Sequence, residues 1–290
     1  MPRFAFVTVD VFTDRRFGGN PLAVFPDAQG LSDAQMQSLA AEFNLSETTF
    51  VLPPADPANT ARVRIFNRKA EMPFAGHPNV GTGWVLAGLG RARDGMLRFE
   101  EIAGLVEVRA EPGQVTIAAP QPLALGPEMP VDLLARCVGI GAADIVTANH
   151  RPVSASVGNS FVIAEVAGDA LARAVPEVAR FKEAAATYTA MGPNRLPLYL
   201  YARGGKTLRA RMFSPLSGTV EDAATGSAAT PLAALLLSLG RESEARYEIA
   251  QGVEMGRPSR LVCTARRGAD GIRATVGGSC VPVLKGELEL

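Results

Sequence analysis

Arg62-Val63-Arg64-Ile65-Phe66-Asn67 has a near-copy far along the chain, Arg209-Ala210-Arg211-Met212-Phe213-Ser214. Each is followed by an acidic residue, Glu71 in the first case and Glu221-Asp222 in the second. A glycine-containing turn comes next (Ala75-Gly76-His77-Pro78; Ala224-Thr225-Gly226-Ser227), and then an apolar helical stretch ending at Leu89-Gly90 or Leu239-Gly240. A shared order of strand, acid, turn and helix over nearly thirty residues reads as an internal repeat. It predicts two similar halves facing each other.

Around these units the pattern is that of an α+β protein. Phe4 to Phe12 is rich in Phe and Val, and Gly18-Gly19-Asn20-Pro21 is turn chemistry before a second strand, Leu22 to Phe25. Ser32 with Gln35 makes a capping box, after which Met36, Leu39, Ala40 and Phe43 recur at helical spacing. Strands are expected at 48–52, 62–66, 96–100, 105–109 and 115–118, with a helix from His77-Pro78 to Leu89. Pro120 to Pro130 carries little periodic pattern and reads as a linker. Beyond it come a strand at 161–166, a helix from Val178 to Met191, strands at 196–203 and 207–213, and an Ala/Leu-rich helix to Leu239. Strands at 247–250, 260–265, 272–276 and 281–284 close the chain.

Composition excludes several classes. The 290 residues fit two domains better than one, and 47% of them are hydrophobic. Twenty-nine basic residues balance 29 acidic ones, so no broad attraction to nucleic acid or anionic membrane is expected. The basic residues are nearly all arginine, scattered without a block; only Lys69, Lys182, Lys206 and Lys285 are lysines. Cys137, Cys263 and Cys280 include no C-x-x-C pair, which argues against both a disulfide framework and a structural zinc. The start, MPRFAFVTVDVF, lacks the parts of a signal peptide. The run Ala228 to Leu239 is broken by Thr230, Pro231 and Ser238, well short of the about 20 residues that span a bilayer. The expected setting is the cytoplasm.

The two turns are the candidate chemistry. A strand that stops and enters a helix aims the helix's first free N–H groups beyond the strand end, where the dipole favours an anion. Two such turns facing each other make a site for a small molecule carrying a carboxylate. Ser227 suits an N-cap or first-turn position and Pro78 the first turn. Capping alone does not explain His77 and Asp222, titratable groups beside both helix starts. Of the two histidines, His150 lies beside Arg151 and Pro152 in a loop and reads as incidental. Glu47 sits where a helix hands over to a strand, and flanking Phe43, Leu45 and Phe50 suggest an apolar setting that would raise its pKa. Gly204-Gly205-Lys206-Thr207 resembles the end of a P-loop, but Leu200 occupies the place of its first glycine. Gly76, Gly81 and Gly83 do not form G-x-G-x-x-G, and no H-E-x-x-H occurs. No nucleotide, nicotinamide or metal is implied.

Six ordered motifs together resemble the PhzF-like family, named for a phenazine-biosynthesis isomerase. They are Asp10 to Asp14, Phe17 to Val24, Asn44 to Phe50, Pro73 to Pro78, Glu221 to Ala228, and Gln251-Gly252 with Met255 to Ser259. The resemblance spans essentially the whole chain. It implies the diaminopimelate-epimerase-like fold: two pseudo-symmetric halves, each a curled mixed sheet around a central helix, with the active site in the cleft between them. It places residues 1–119 and a returning segment, 277–290, in one half, and residues 120–276 in the other. It further implies a homodimer without cofactor, with the acid/base glutamate at Glu47. Ser46, Gly76, His77, Asp222, Gly226 and Ser227 correspond to positions that contact substrate or handle protons. Two departures stand out. Ala223 replaces the proline of the family's E-D-P-A-T-G-S, which should loosen that turn. No cysteine falls in either helix-entry turn, which argues against the two-thiol racemisation of diaminopimelate and proline-type epimerases.

The leading expectation is therefore a cofactor-independent isomerase of a small, cyclic carboxylic acid, with Glu47, His77 and Asp222 catalytic and Ser46, Gly76, Gly226 and Ser227 binding. A serine hydrolase would use Ser227, His77 and Asp222, but no G-x-S-x-G elbow presents the serine. A non-catalytic metabolite- or protein-binding role is the other alternative, against which the intact set of Glu47, His77 and Asp222 argues.

Overall fold

The computed structural model describes residues 1–204 and 207–290. Gly205 and Lys206, from the rejected P-loop reading, lie outside the described residues. The chain divides into two compact units, Met1–Ala118 with Gly277–Leu290, and Ala119–Val276. The first unit runs β1 (Arg3–Val11), β2 (Asn20–Phe25), α1 (Asp33–Phe43), β3 (Glu47–Leu52), β4 (Ala61–Asn67), β5 (Glu71–Met72), α2 (Gly76–Gly88), β6 (Met96–Glu101), β7 (Gly104–Glu111) and β8 (Gln114–Ala118). The second begins with β9 (Ala124–Glu128), α3 (Val131–Cys137), β10 (Ile145–Val146), β11 (Val153–Ser156), β12 (Ser160–Val166), α4 (Gly168–Arg173) and α5 (Val178–Thr187). It continues with β13 (Leu198–Gly204), β14 (Thr207–Ser214), β15 (Thr219–Asp222), α6 (Gly226–Leu239), β16 (Glu244–Gln251), β17 (Ser259–Gly268) and β18 (Gly271–Gly278). A last strand, β19 (Cys280–Glu289), returns to the first unit and pairs antiparallel with β1, from Arg3↔Glu289 to Val11↔Cys280.

Strand pairing carries the repeat beyond the sequence motif. In the first unit β1–β2 is antiparallel, β2–β3 parallel, β3–β4 antiparallel and β4–β6 parallel, with β6–β7 antiparallel and β5 a short spur on β4. In the second unit β11–β12, β12–β13, β13–β14, β14–β16 and β16–β17 repeat that series, with β15 as the spur on β14. Aligning Arg64 with Arg211 therefore aligns every neighbouring position through the two ladders.

The spur explains the R-x-R-x-F motif. Glu71 lies opposite Phe66, and Glu221 lies opposite Phe213. Arg64 donates through Nε and Nη2 to both oxygens of Glu71 (2.7 and 2.6 Å) and stacks 5.0 Å from the Phe66 ring centre. Arg211 does the same with Glu221 (2.8 and 2.8 Å) and Phe213 (4.8 Å). Such fork-to-fork pairs fix geometry as well as charge. The third nitrogen differs between repeats. Arg64 Nη1 donates to Asp33 in the first turn of α1, whereas Arg211 Nη1 donates to the Leu171 and Ala174 carbonyls at the end of α4.

Each sheet holds a helix on one face. α2 packs on β1, β2, β3, β7 and β8, and α6 on β11, β12, β16 and β17. Gly81 and Gly83 belong to this packing. A Cβ at Gly81 would come 2.6 Å from Leu22 Cδ2, and one at Gly83 would come 2.6 Å from Val108 Cγ1. α6 is buried on nearly all sides, as its Ala/Leu-rich composition requires. On the other face of the first sheet, α1 covers an aromatic group in which Phe25 stacks on Phe50 (4.9 Å) and Phe66 meets Phe50 edge-on. In the second unit α3, α4 and α5 cover an aliphatic core around Phe181 and Phe213.

The capping box stands: Ser32 Oγ accepts from the Gln35 N–H, and Gln35 Oε1 accepts from the Ser32 N–H at 2.9 Å. Two expectations need correction. The stretch read as a linker contains β9, paired antiparallel with β11. Its five residues are all exposed, so no burial pattern marks it; main-chain bonding alone makes it a strand. The helix expected to reach Met191 ends at Thr187, where Tyr188 leaves helical geometry, buries its ring and donates its hydroxyl to the Pro127 carbonyl at 2.6 Å.

Arg211→Met is expected to cost about 3–5 kcal/mol in urea unfolding, because it strands the Glu221 carboxylate in a mostly buried position. The double variant Arg211→Met/Glu221→Leu should recover most of that loss.

Candidate active site

Three chain segments meet in the first unit: the starts of β2, β3 and α2. The parallel register puts Leu22 beside Glu47, which brings Asn20 close to Ser46. Ser46 Oγ donates to Asn20 Oδ1 (3.1 Å), and Asn20 Nδ2 faces His77 Nδ1 (3.4 Å). The amide nitrogen can only donate, so Nδ1 accepts and the ring proton sits on Nε2. His77 Nε2 lies 3.4 Å from Glu47 Oε2, yet it has no aligned hydrogen bond among the described residues. Burial pushes the His77 pKa down to about 3, so its imidazole is neutral near pH 7. The Glu47 side chain is only 16% exposed. Ala75, the N-cap of α2, makes no side-chain cap bond, so the helix's first N–H groups face outward beside His77.

The setting of Glu47 differs from the apolar one expected. Side chains alternate along a strand. Phe50 points to the face covered by α1, while Glu47 and Thr49 share the face toward α2, where Thr49 Oγ1 meets Thr82 Oγ1 at 2.8 Å. Its neighbours are therefore His77 and hydroxyls rather than phenylalanines. Asn20 was missed as a site residue; the Gly18-Gly19-Asn20-Pro21 turn was the available signal.

In the second unit, Asp222 closes β15 and Thr225 is the N-cap of α6. Thr225 spends its hydroxyl on Asp222 Oδ2 (2.6 Å) and caps no helix N–H, which leaves Gly226 and Ser227 to open the helix. Ser227 is thus a first-turn residue and not the cap. Pro231, inside α6, has no N–H to offer the Ser227 carbonyl. Ala223 is tied rather than loosened: it is buried, and its carbonyl accepts from Ser259 Oγ at 2.8 Å.

The paired ladders show where the halves differ. His77 corresponds to Ser227, Glu47 to Pro197 and Asp222 to Met72, so each half brings one site carboxylate and the two are at unlike positions. Glu101, at the end of β6, corresponds to Gln251 at the end of β16. Both Glu101 oxygens are buried without a hydrogen-bond partner among the described residues, and burial pushes its pKa up to about 8, with Asn79 of α2 offsetting part of the shift. All three cysteines are buried, and burial pushes the thiols of Cys137 and Cys280 up to about 12. His150 is bonded: its Nε2 meets the Tyr201 hydroxyl at 2.9 Å, and that hydroxyl donates to buried Glu165. Among the described residues no cluster of three or more His, Cys, Asp or Glu could hold a metal, and no helix is long and apolar enough to cross a membrane.

This architecture is the diaminopimelate-epimerase-like α+β fold of the proline racemase and epimerase class. A hydroxyproline epimerase from Agrobacterium vitis superposes with a TM-score of 0.63 at 12% identity, over 99% of this chain and 93% of that one. A Bacillus anthracis protein of the PhzF family superposes at 0.89 and 24% identity over the full length of both. A family model of phenazine biosynthesis-like proteins matches residues 9–286. The trans-2,3-dihydro-3-hydroxyanthranilate isomerase of Pseudomonas chlororaphis is 37% identical, over 98% of this chain and 99% of its own. The chain belongs to the PhzF family and is an isomerase of that family.

Glu101→Gln tests the buried acid. In the unfolded chain this carboxyl ionises near 4.5, whereas the folded state holds its proton to about 8, so stability should fall as pH rises across that window. His77 acts oppositely, lowering stability as pH drops from 6.5 toward 3. Glu101→Gln should flatten the alkaline decline and gain on the order of 4 kcal/mol at pH 8, read by urea unfolding across pH. A Gln variant that keeps the wild-type alkaline slope would show that Glu101 is not the titrating group.

Proposed function

We propose that this protein is a cofactor-independent isomerase that moves a proton on a small, cyclic carboxylic acid, with Glu47 as the acid/base. The observation that carries the reading is the mostly buried Glu47 carboxylate facing the neutral His77 Nε2 beside the uncapped start of α2. Glu47 takes a proton from one ring carbon, the electron pair moves into the adjoining π system toward the substrate carboxylate, and Glu47 delivers a proton, exchangeable with solvent, to another carbon. Backbone N–H groups at a helix start, around Gly76 in the first unit and at Gly226 and Ser227 in the second, suit a carboxylate and the charge that develops on it. Ser46 keeps Asn20 and the imidazole in place, His77 presents its Nε2 proton, and Asp222 orients a polar group of the substrate. A relative 37% identical over nearly its full length carries the name of an isomerase for trans-2,3-dihydro-3-hydroxyanthranilate, a cyclic carboxylic acid, which supports this substrate class.

The direct test is reaction of trans-2,3-dihydro-3-hydroxyanthranilate, alongside a panel of cyclic amino and hydroxy acids, in deuterated water. Wild-type protein should incorporate deuterium at carbon, and Glu47→Gln should slow incorporation by about 10²–10⁴-fold. Exchange at the wild-type rate in that variant refutes the role of Glu47. The proposal extends to a homodimer in the cytoplasm; light scattering should then give twice the 30.5 kDa chain mass, and a single chain mass would refute the dimer.

A further inference from the structure

Gln251 is fully buried, and its carboxamide uses both ends twice. Oε1 accepts from the Tyr199 hydroxyl (3.1 Å) and the Thr225 N–H (3.2 Å), while Nε2 donates to the Asp222 carbonyl (2.8 Å) and Thr225 Oγ1 (3.0 Å). The amide cannot be turned over. A backbone N–H can only donate and a backbone carbonyl can only accept, so both ends are fixed by their main-chain partners. Thr225 Oγ1, accepting from Nε2, must then send its own proton elsewhere, and it sends it to Asp222 Oδ2 at 2.6 Å.

The following turn belongs to the same clamp. Gly252 has φ of +72°, and a Cβ there would stand 2.6 Å from the Ala223 carbonyl oxygen and 2.5 Å from that of Arg257. Ser259 Oγ donates to that same Ala223 carbonyl. Segment 251–259 thus grips two successive carbonyls, of Asp222 and Ala223, from below.

We infer that Gln251 is a positioning residue of the second half-site, fixing the direction of the Thr225 hydroxyl proton and thereby holding the Asp222 carboxylate in one orientation as a hydrogen-bond acceptor. It does so without touching substrate. This inference rests on the proposed isomerase reading for its catalytic consequence and on geometry alone for the clamp. The other repeat has no such clamp: Glu101, at the equivalent place, has neither oxygen hydrogen-bonded among the described residues.

Two arms test the inference separately from the reaction. In ligand-free crystal structures of Gln251→Leu and Thr225→Val, the Asp222 carboxylate should leave its wild-type rotamer, while Thr225→Ser should retain it. An Asp222 side chain unmoved in Thr225→Val overturns the inference whatever the protein's substrate is, and this variant keeps the amide should Gln251→Leu fail to fold. In the second arm, with trans-2,3-dihydro-3-hydroxyanthranilate, kcat should fall about 10²-fold in Thr225→Val with KM changed less than about threefold, and Thr225→Ser should restore it. Equal turnover by Thr225→Val and wild type overturns the catalytic consequence. Wild-type protein that leaves this compound unchanged would instead count against the reading of the reaction, with the crystallographic arm still deciding the clamp.

Discussion

Each repeat hangs on one guanidinium. Arg64 and Arg211 project from the central strand of their units, grip a glutamate on a short spur and stack on a phenylalanine of their own strand. The spur cannot be held by its two to four residues of ladder alone, because so short a strand has too few bonds to offset the entropy of ordering it. The bidentate pair supplies what the ladder lacks, and the direction of the spur decides where α2 and α6 begin. Both helix starts, and with them every candidate site residue at 76–77 and 222–227, therefore depend on these two ion pairs. Arg211 is the more committed of the two, since its remaining nitrogen also satisfies the last carbonyls of α4.

The scaffold repeats while the chemistry does not. The two ladders agree strand for strand, yet Glu47 stands opposite Pro197 in the alignment, His77 opposite Ser227, and Asp222 opposite Met72. Symmetric two-thiol chemistry needs like groups at like places, and here no cysteine occupies either turn and the thiols are buried with raised pKa values. The carboxylates Glu47 and Asp222 stand at unlike positions of their units, which is the opposite of that symmetry. The apolar positions had to remain similar to keep both helices packed; the residues at the helix mouths were free to diverge.

Much of this was legible in the sequence. The R-x-R-x-F repeat, the acid after it and the glycine turn before each helix were visible because they are local and spaced by geometry that both units share. The bidentate pairing behind the motif was not legible, since nothing in Arg64 or Glu71 announces which partner each will find. The strand at 124–128 escaped for a different reason: it is exposed throughout, so it has no alternation to read, and only its pairing with β11 defines it. The setting of Glu47 was misread because sequence neighbours on a strand point to opposite faces, and Phe50 belongs to the aromatic core under α1 rather than to the site. Asn20 and Gln251 stand in stretches the sequence marks, but it does not mark their partners, because their contacts with His77 and Thr225 are long-range.

The helix mouths also show how the fold manages charge. A helix start is open to an anion where no side chain already occupies its N–H groups. Ala75 offers no side chain to compete, and Thr225 turns its hydroxyl away to Asp222. Burial keeps His77 neutral, so the imidazole presents Nε2–H beside the start of α2 without adding a cation there. Beneath the same helix, burial keeps Glu101 protonated near neutral pH, which spares the start of α2 a second buried negative charge. The second repeat reaches the same end with a carboxamide, Gln251, which can never ionise. Each helix start thus has a neutral group beneath it, Glu101 or Gln251, and a carboxylate beside it, Glu47 or Asp222.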